Sequence, residues 1–409
     1  MTKSLWKQPN FMLLWSGQLI SWMGTEVTSL ALPLVVLALT GSPAQAGIVA
    51  AIQGAVYVIW SIPAGALVDR WNRKTVMVVA NLGSGLAIGA IALGLALHDL
   101  TVLELYIACA VESSFFVFAN LSRFASFPKI VSKEQFPAAS AQMGTADHIA
   151  ILIGPPLGGF LYQTIGGFIT FLADAVSFII NAVSILFITT PLGTETPTER
   201  KAIHYEVKEA ISWYRRQPIL RLLNILTAGR VAAMAGLDLL IILLAKGHHA
   251  SAFSIGLIFA VAALGGITGS LFAAKVHSRY SLKQLLVGIN LLSCLIFGMY
   301  ALTVNVYTIA VVTALFYAID PLHHVATSAY SAKVIPDGIR GRVISLTRLQ
   351  VLAANSLGFF ISGITLQYLS SNWTIGLFTG LLFVLFVAVF TNPRLSQVEH
   401  HRTDARVTT

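Results

Sequence analysis

Among the ionisable side chains inside apolar stretches of the chain, six stand out: Glu26, Glu112, Arg230, Asp238, Asp320 and His324. Charged groups are costly in hydrocarbon, and where they occur they mark solute or proton pathways by default. A carboxylate shielded from water can hold a proton and release it when a cation or a guanidinium approaches. That competition is chemistry enough to exchange a proton for a cationic solute. Glu26 and Glu112 are the first candidates for a proton or cation site, and Asp320 with His324 comes next. The plainer reading is a static network in which Arg230 neutralises Asp238 or a neighbouring carboxylate. Helical spacing groups these residues with others. Gln18, Trp22, Thr25 and Ser29 share the side of Glu26 ahead of Pro33, and Asn224 and Thr227 lead toward Arg230. Tyr317, Asp320, His324 and Thr327 fall on one face. The rings of Trp22, Tyr57, Trp60, Phe115, Phe116 and Tyr317 offer an apolar wall, though each alone is ordinary packing. Asp147, His148, Asp174 and Arg348 are weaker candidates, with Asp147 placed to meet Arg123.

The elements that must hold these residues follow from composition. Of 409 residues, 56% are hydrophobic and 11% are charged, against about 25% charged in soluble domains. Apolar runs of roughly 18 or more residues recur, each long enough to cross a bilayer as a helix. The alternating pattern of a β-barrel is missing. Twelve spans are predicted, at 11–39, 46–68, 75–97, 102–126, 139–165, 168–190, 219–245, 253–276, 284–303, 306–332, 342–370 and 373–391. The first is too long for a signal-peptide core and is expected to remain.

The net charge of +9 suggests nucleic acid until the positions are read. Apart from Arg230 and Lys246, Lys and Arg lie in or beside the N-terminus, alternate connections and the C-terminal tail. This is the positive-inside pattern. It predicts a multi-pass protein of the plasma (inner) membrane with both termini cytoplasmic, and no nucleic-acid partner. Cys109 and Cys294 lie within spans as packing residues. His248 and His249 are too few ligands for a metal. No phosphate-binding loop or catalytic constellation is present, so neither an enzyme nor a cofactor is expected.

The organisation predicted is a bundle at 1–190, a linker at 191–218, a second bundle at 219–391 and a tail at 392–409. The linker opens as PLGTETPTERK. It continues with Ile203, Val207, Ala210, Ile211 and Tyr214 at amphipathic spacing, a helix expected to lie along the membrane surface. The halves match each other: Lys129, Gly154, Gly159 and Gln163 align with Lys333, Gly358, Gly363 and Gln367 without a gap. Repeated halves in a polytopic chain are the mark of a secondary transporter.

Two motifs sharpen this. Gly65, Asp69, Arg70, Arg73 and Lys74 stand in the turn between spans 2 and 3. Gly65 would let another helix approach, and Asp69 can accept from Arg73 or from an exposed helix N-terminus. In span 5, Gly154-Pro155-Pro156-Leu157-Gly158-Gly159 combines proline, which removes a helical hydrogen bond, with small residues for tight packing. On these residues the chain resembles the major facilitator superfamily over essentially its whole length. It is most similar to macrolide or multidrug-efflux and siderophore-export proton antiporters.

The resemblance implies an all-α membrane protein of twelve transmembrane helices in two pseudo-symmetric six-helix bundles. It implies a cavity lined by spans 1, 4, 7 and 10, and a cytoplasmic latch from Asp69 to Gly341-Arg342. It also implies that Gly154, Pro155, Gly158 and Gly159 form the antiporter element. The expected partners are a lipophilic or amphiphilic small molecule, protons and the bilayer, and the expected state is a monomer. Import, siderophore or metabolite export, and lysolipid flipping remain as alternatives. Two departures stand out. Glu112 occupies the place where relatives carry an arginine in span 4. The second-half turn motif is degraded to Ala274, Ser278 and Leu282.

Overall fold

Helix limits are set by the polar residues between the apolar runs. Ser42, Asn72, Thr101, Ser281, Asn305 and Ser370 each accept a backbone N–H of the helix they precede. This satisfies donors that the first turn leaves orphaned. Thr101 with Glu104 and Ser281 with Gln284 form reciprocal capping boxes. Gly41 closes the first long helix with φ 64°, a conformation suited to glycine.

The computed structural model describes residues 4–193 and 203–395. Most of the expected PLGTETPTERK linker and most of the tail lie outside the described residues. The helices are α1 Pro9–Thr40, α2 Pro43–Val68, α3 Arg73–Leu97, α4 Val102–Ile130, α5 Phe136–Thr164 and α6 Gly167–Leu186. They continue as α7 Ile203–Arg215, α8 Pro218–Gly247, α9 Ala252–Arg279, α10 Leu282–Gly298, α11 Val306–Val334, α12 Asp337–Tyr368 and α13 Ser371–Phe390. The ninth predicted span ends early as α-helix; its last turn, Met299–Leu302, is 3-10.

Eleven of these helices are long and apolar enough to cross a membrane. The twelfth span, α5, has the length, but Asp147, His148 and its glycines and prolines dilute its apolar residues. Pro155 and Pro156 lie inside it without ending it.

The chain divides into two units, Met1–Thr196 with Ala250–Ala260, and Pro197–His249 with Val261–Thr409. In the first, α1 packs on α5 and α6, and α3 on α4 and α6. In the second, α8 packs on α12 and α13, and α10 on α11 and α13. These pairings correspond, α1 with α8, α3 with α10, α4 with α11, α5 with α12 and α6 with α13, so the two units repeat one packing plan across these helices.

The α7 helix belongs to the second unit and packs on α8 and α12. Of its predicted apolar face, Ala210 and Tyr214 are buried with Leu220, Ile335 and Val343. That part of the face is covered by protein rather than offered to the bilayer.

Candidate functional site

Glycines decide which side chains can meet. A Cβ on Gly154 would fall 2.2 Å from the Glu26 Cβ, and one on Gly158 would fall 2.4 Å from the Val27 carbonyl oxygen. The α5 element is therefore pressed against α1 at the acid, as small-residue faces allow. A Cβ on Gly159 would fall 2.2 Å from the Ala252 carbonyl oxygen, and one on Gly256 would fall 2.4 Å from that of Pro155. The Phe253 N–H, in the first turn of α9, donates to Gln163 Oε1 at 3.2 Å.

Glu26 is half-buried, with the Ser29 hydroxyl 3.3 Å from its carboxylate. Trp22, one turn earlier, lies under the Arg123 guanidinium, 5.1 Å from the ring centroid. Arg123 also covers Phe124 and donates to Asn120 at 2.7 Å. Cation–π stacking of this kind contributes about 0.5–2 kcal/mol. Glu112 is buried within the bundle, 3.3 Å from the Ser113 hydroxyl. The hydroxyl of Ser84 on α3 points at its backbone carbonyl.

A further acid, ranked low from sequence, is the better built. Asp174 on α6 is 2% exposed, and its Oδ2 accepts from the Thr28 hydroxyl at 2.6 Å. Gly24 of α1 makes the room, since a Cβ there would stand 2.5 Å from Asp174 Oδ1. Gly17 does the same for Asn181 and Ser184. Asn181 in turn donates to Asn81 Oδ1 on α3 at 2.9 Å. The one signal in the sequence for which face of α6 meets α1 is the seven-residue spacing of Gly17 and Gly24, matched by Asp174 and Asn181.

The second unit gathers the span-7 and span-10 residues. Arg230 on α8 is 1% exposed; it donates to Ser293 on α10 and lies 3.5 Å from Asp320 Oδ1 on α11. Of the two pairings considered for Arg230, the neighbouring carboxylate Asp320 is the one made. Asp238 instead accepts from the Tyr317 hydroxyl at 2.8 Å. His324 is exposed and lies 3.3 Å from Asp320 Oδ2. Thr327 turns its hydroxyl back to its own helix.

His323, unremarked from sequence, is buried and 2.8 Å from the Thr227 hydroxyl. The Thr227 hydroxyl also reaches Leu223 O at 2.9 Å, and the His323 tautomer sets which of the pair donates. Asn224 on α8 and Tyr214 on α7 both donate to Gln350 of α12.

The turn motif makes contacts inside the first unit. Arg73 lies 3.7 Å from Asp69 and donates to Ala125 O at 2.9 Å. Lys74 donates to Leu186 O and Ile188 O at 2.8 Å, capping the end of α6. Arg70 is exposed. No atom lies within 4 Å of where a Cβ of Gly65 or Gly341 would stand, so the close approach expected at Gly65 is not made. Arg342 is 3.2 Å from Glu209 of α7. Among the described residues no cluster of three metal-ligating side chains occurs.

Comparison with known proteins places this arrangement. The model of the Major Facilitator Superfamily matches residues 14–319 and 223–407. A relative is the multidrug efflux pump Tap of Mycobacterium tuberculosis (strain ATCC 25618 / H37Rv). It is 24% identical over 366 residues, covering 87% of this chain and 86% of Tap. Another is the enterobactin exporter EntS of Citrobacter koseri, 22% identical over 356 residues, covering 87% of this chain and 85% of EntS. In fold the chain is similar to a bacterial homologue of the iron transporter ferroportin. The TM-score is 0.73 at 16% identity, covering 95% of this chain and 100% of the other. It is also similar to the nucleoside transporter NupG, with TM-score 0.72 at 15% identity, covering 94% and 99%.

Proposed function

The chain belongs to the Major Facilitator Superfamily and is a multi-span membrane transporter, and from that premise we propose that it exports lipophilic or amphiphilic small molecules by proton antiport with alternating access. The observation that carries this reading is the contact between Glu26 and Gly154. It sets an intramembrane acid directly against the Gly-Pro-Pro-Leu-Gly-Gly element. A shift of α5 along α1 at this contact alters the surroundings of the acid, and an acid whose surroundings alternate can exchange a proton for a cationic solute. Similarity to a multidrug efflux pump supports the direction and the broad substrate class.

In this reading Glu26 and Trp22 face cationic, aromatic-bearing substrates. Arg230, Asp238, Tyr317, Asp320 and His324 form the counterpart in the second unit, and Glu112 is a further buried acid of the first. Gly65, Asp69, Arg70, Arg73 and Lys74 act with Gly341 and Arg342 as a latch between states. The protein works as a monomer in the plasma membrane with both termini cytoplasmic, as the Lys and Arg distribution supports.

A second substrate class, an anionic siderophore, is favoured by buried Arg230 and by similarity to an enterobactin exporter. Accumulation of ethidium, erythromycin and a catecholate siderophore in cells lacking their own pumps tests the proposal. Lower dye or macrolide accumulation on expression, restored by Glu26→Gln, is expected. Higher accumulation means import and contradicts the proposal.

A further inference from the structure

The two units carry the same notch, filled differently. On α1, Gly17 and Gly24 receive Asn181 with Ser184, and Asp174 with Ser177, from α6. On α8, Gly229 and Gly236 stand at the same seven-residue spacing. A Cβ there would fall 2.7 Å from Leu385 and 2.3 Å from the Phe378 ring of α13. An acid follows two residues after the second glycine in each case, Glu26 and Asp238. The notch is thus satisfied by apolar side chains in one unit, so packing alone does not call for a carboxyl in the other. A buried carboxylate without a partner is costly, and Asp174 is not explained by stability.

Its hydrogen bonds say what it carries. Among the described residues no Lys, Arg or His forms an ion pair with Asp174. Thr28 donates to Oδ2. The Ser177 hydroxyl is 2.7 Å from the Asp174 carbonyl oxygen and 3.3 Å from Oδ1. Its proton can turn to either oxygen: toward Oδ1 it serves a charged carboxylate, and toward the carbonyl it leaves a lone pair for a protonated one. The set of partners thus accommodates the carboxyl in both of its protonation states. The same face of α6 leads to a cavity of ≈ 20 Å³ between α1, α3, α4 and α6, polar at Gln18, Ser21, Asn81, Asn120, Arg123 and Asn181. Asn181 Oδ1 is buried there without a partner. About 10–15 Å³ holds one water, so a water fits and would satisfy it.

We infer that Asp174 is the residue of the first unit that takes up and releases the proton exchanged for substrate, with the Asn181 cavity as its hydrated approach. This rests on the antiport reading above and moves the proton from Glu26 and Glu112 to α6, leaving Glu26 to the substrate. The titratable groups on elements around Asp174 include Glu26 on α1, Cys109, Glu112 and Arg123 on α4, with Arg123 lining the cavity itself, and Asp147, His148 and Tyr162 on α5. The charged residues of α3 are Arg73 and Lys74, at its far end.

The test is infrared difference spectroscopy of the purified full chain in lipid nanodiscs, between acid and alkaline buffer. The parallel measurement is gradient-driven ethidium flux in proteoliposomes. Expected is a protonated-carboxyl band that Asp174→Asn removes and Glu26→Gln and Glu112→Gln keep, with loss of gradient-driven flux in Asp174→Asn. A band that survives in folded Asp174→Asn, or wild-type flux in that variant, overturns the inference. If Asp174→Asn does not fold, Thr28→Val decides. It keeps the carboxyl and removes a donor to the charged form, so the pH midpoint of the band moves upward; an unmoved midpoint overturns the inference. Wild-type flux indifferent to the gradient overturns the antiport reading beneath it, whatever the spectra give.

Discussion

Two helix seams built on the same plan bury opposite things. The α1–α6 seam closes around Asp174 with hydroxyls and amides and no cation. The α8–α13 seam closes around Phe378 and Leu385. The second unit places its charge between α8 and α11, where Arg230 lies against Asp320 with His324 beside it, while Asp238 accepts from the Tyr317 hydroxyl. The notch of the first unit therefore holds a carboxyl bonded only to neutral groups among the described residues. The second unit carries its acids outside the notch, one of them paired with a guanidinium. The difference teaches that the repeated fold fixes the notches and leaves their occupants to divide the labour.

The sharpest way to break this comparison is to remove one charge from each side. Arg230→Leu leaves Asp320 with only the exposed His324 beside it and is expected to cost about 3–5 kcal/mol, read as a large fall in thermal midpoint in detergent. Arg230→Leu with Asp320→Leu is expected to recover most of it. Asp174→Asn strands no cation and is expected to leave the midpoint within about 1 kcal/mol of wild type. Equal losses from Arg230→Leu and Asp174→Asn would erase the distinction.

Gly24→Ala and Gly236→Ala sharpen it next. Each Cβ enters a space already filled at 2.3–2.5 Å, and overpacking costs about 1–3 kcal/mol. Gly24→Ala should also lower transport, because it displaces Asp174 and Ser177; Gly236→Ala meets a ring and should act on the midpoint alone. Thr227→Val removes the hydrogen-bond partner of buried His323 Nε2 and is expected to cost about 1–3 kcal/mol, the price of an unmet buried polar group. The smallest effect belongs to Glu209→Gln. It breaks a solvent-accessible pair with Arg342, and such pairs contribute about 0.2–1 kcal/mol.

Much of this was legible in the residues. Apolar run length gave the spans, because a helix in hydrocarbon must pair its own backbone. The charge between the runs organised the connections. The Gly-Pro-Pro-Leu-Gly-Gly element reads as tight packing and packs tightly. What spacing along one helix does not encode is which helix lies opposite. Arg230 has Asp238 on its own helix and Asp320 on another, and only the fold chooses Asp320. His323 and His324 are neighbours about 100° apart on α11, so one is buried and one is exposed. Asp174 looked ordinary because its reason, the absent side chain at Gly24, lies in a helix far away in sequence. In α5 the glycines and prolines that make it a packing helix dilute its apolar residues, yet the span is still read at 139–165, where the helix Phe136–Thr164 stands.

The measurement that bears most directly on the account is flux in proteoliposomes under an imposed pH gradient, with ethidium and erythromycin as probes and Asp174→Asn beside the wild type. The account predicts that wild type moves the probe against its own gradient only while the pH gradient is held, and that Asp174→Asn does not. Wild-type flux that proceeds equally with the gradient collapsed would contradict it.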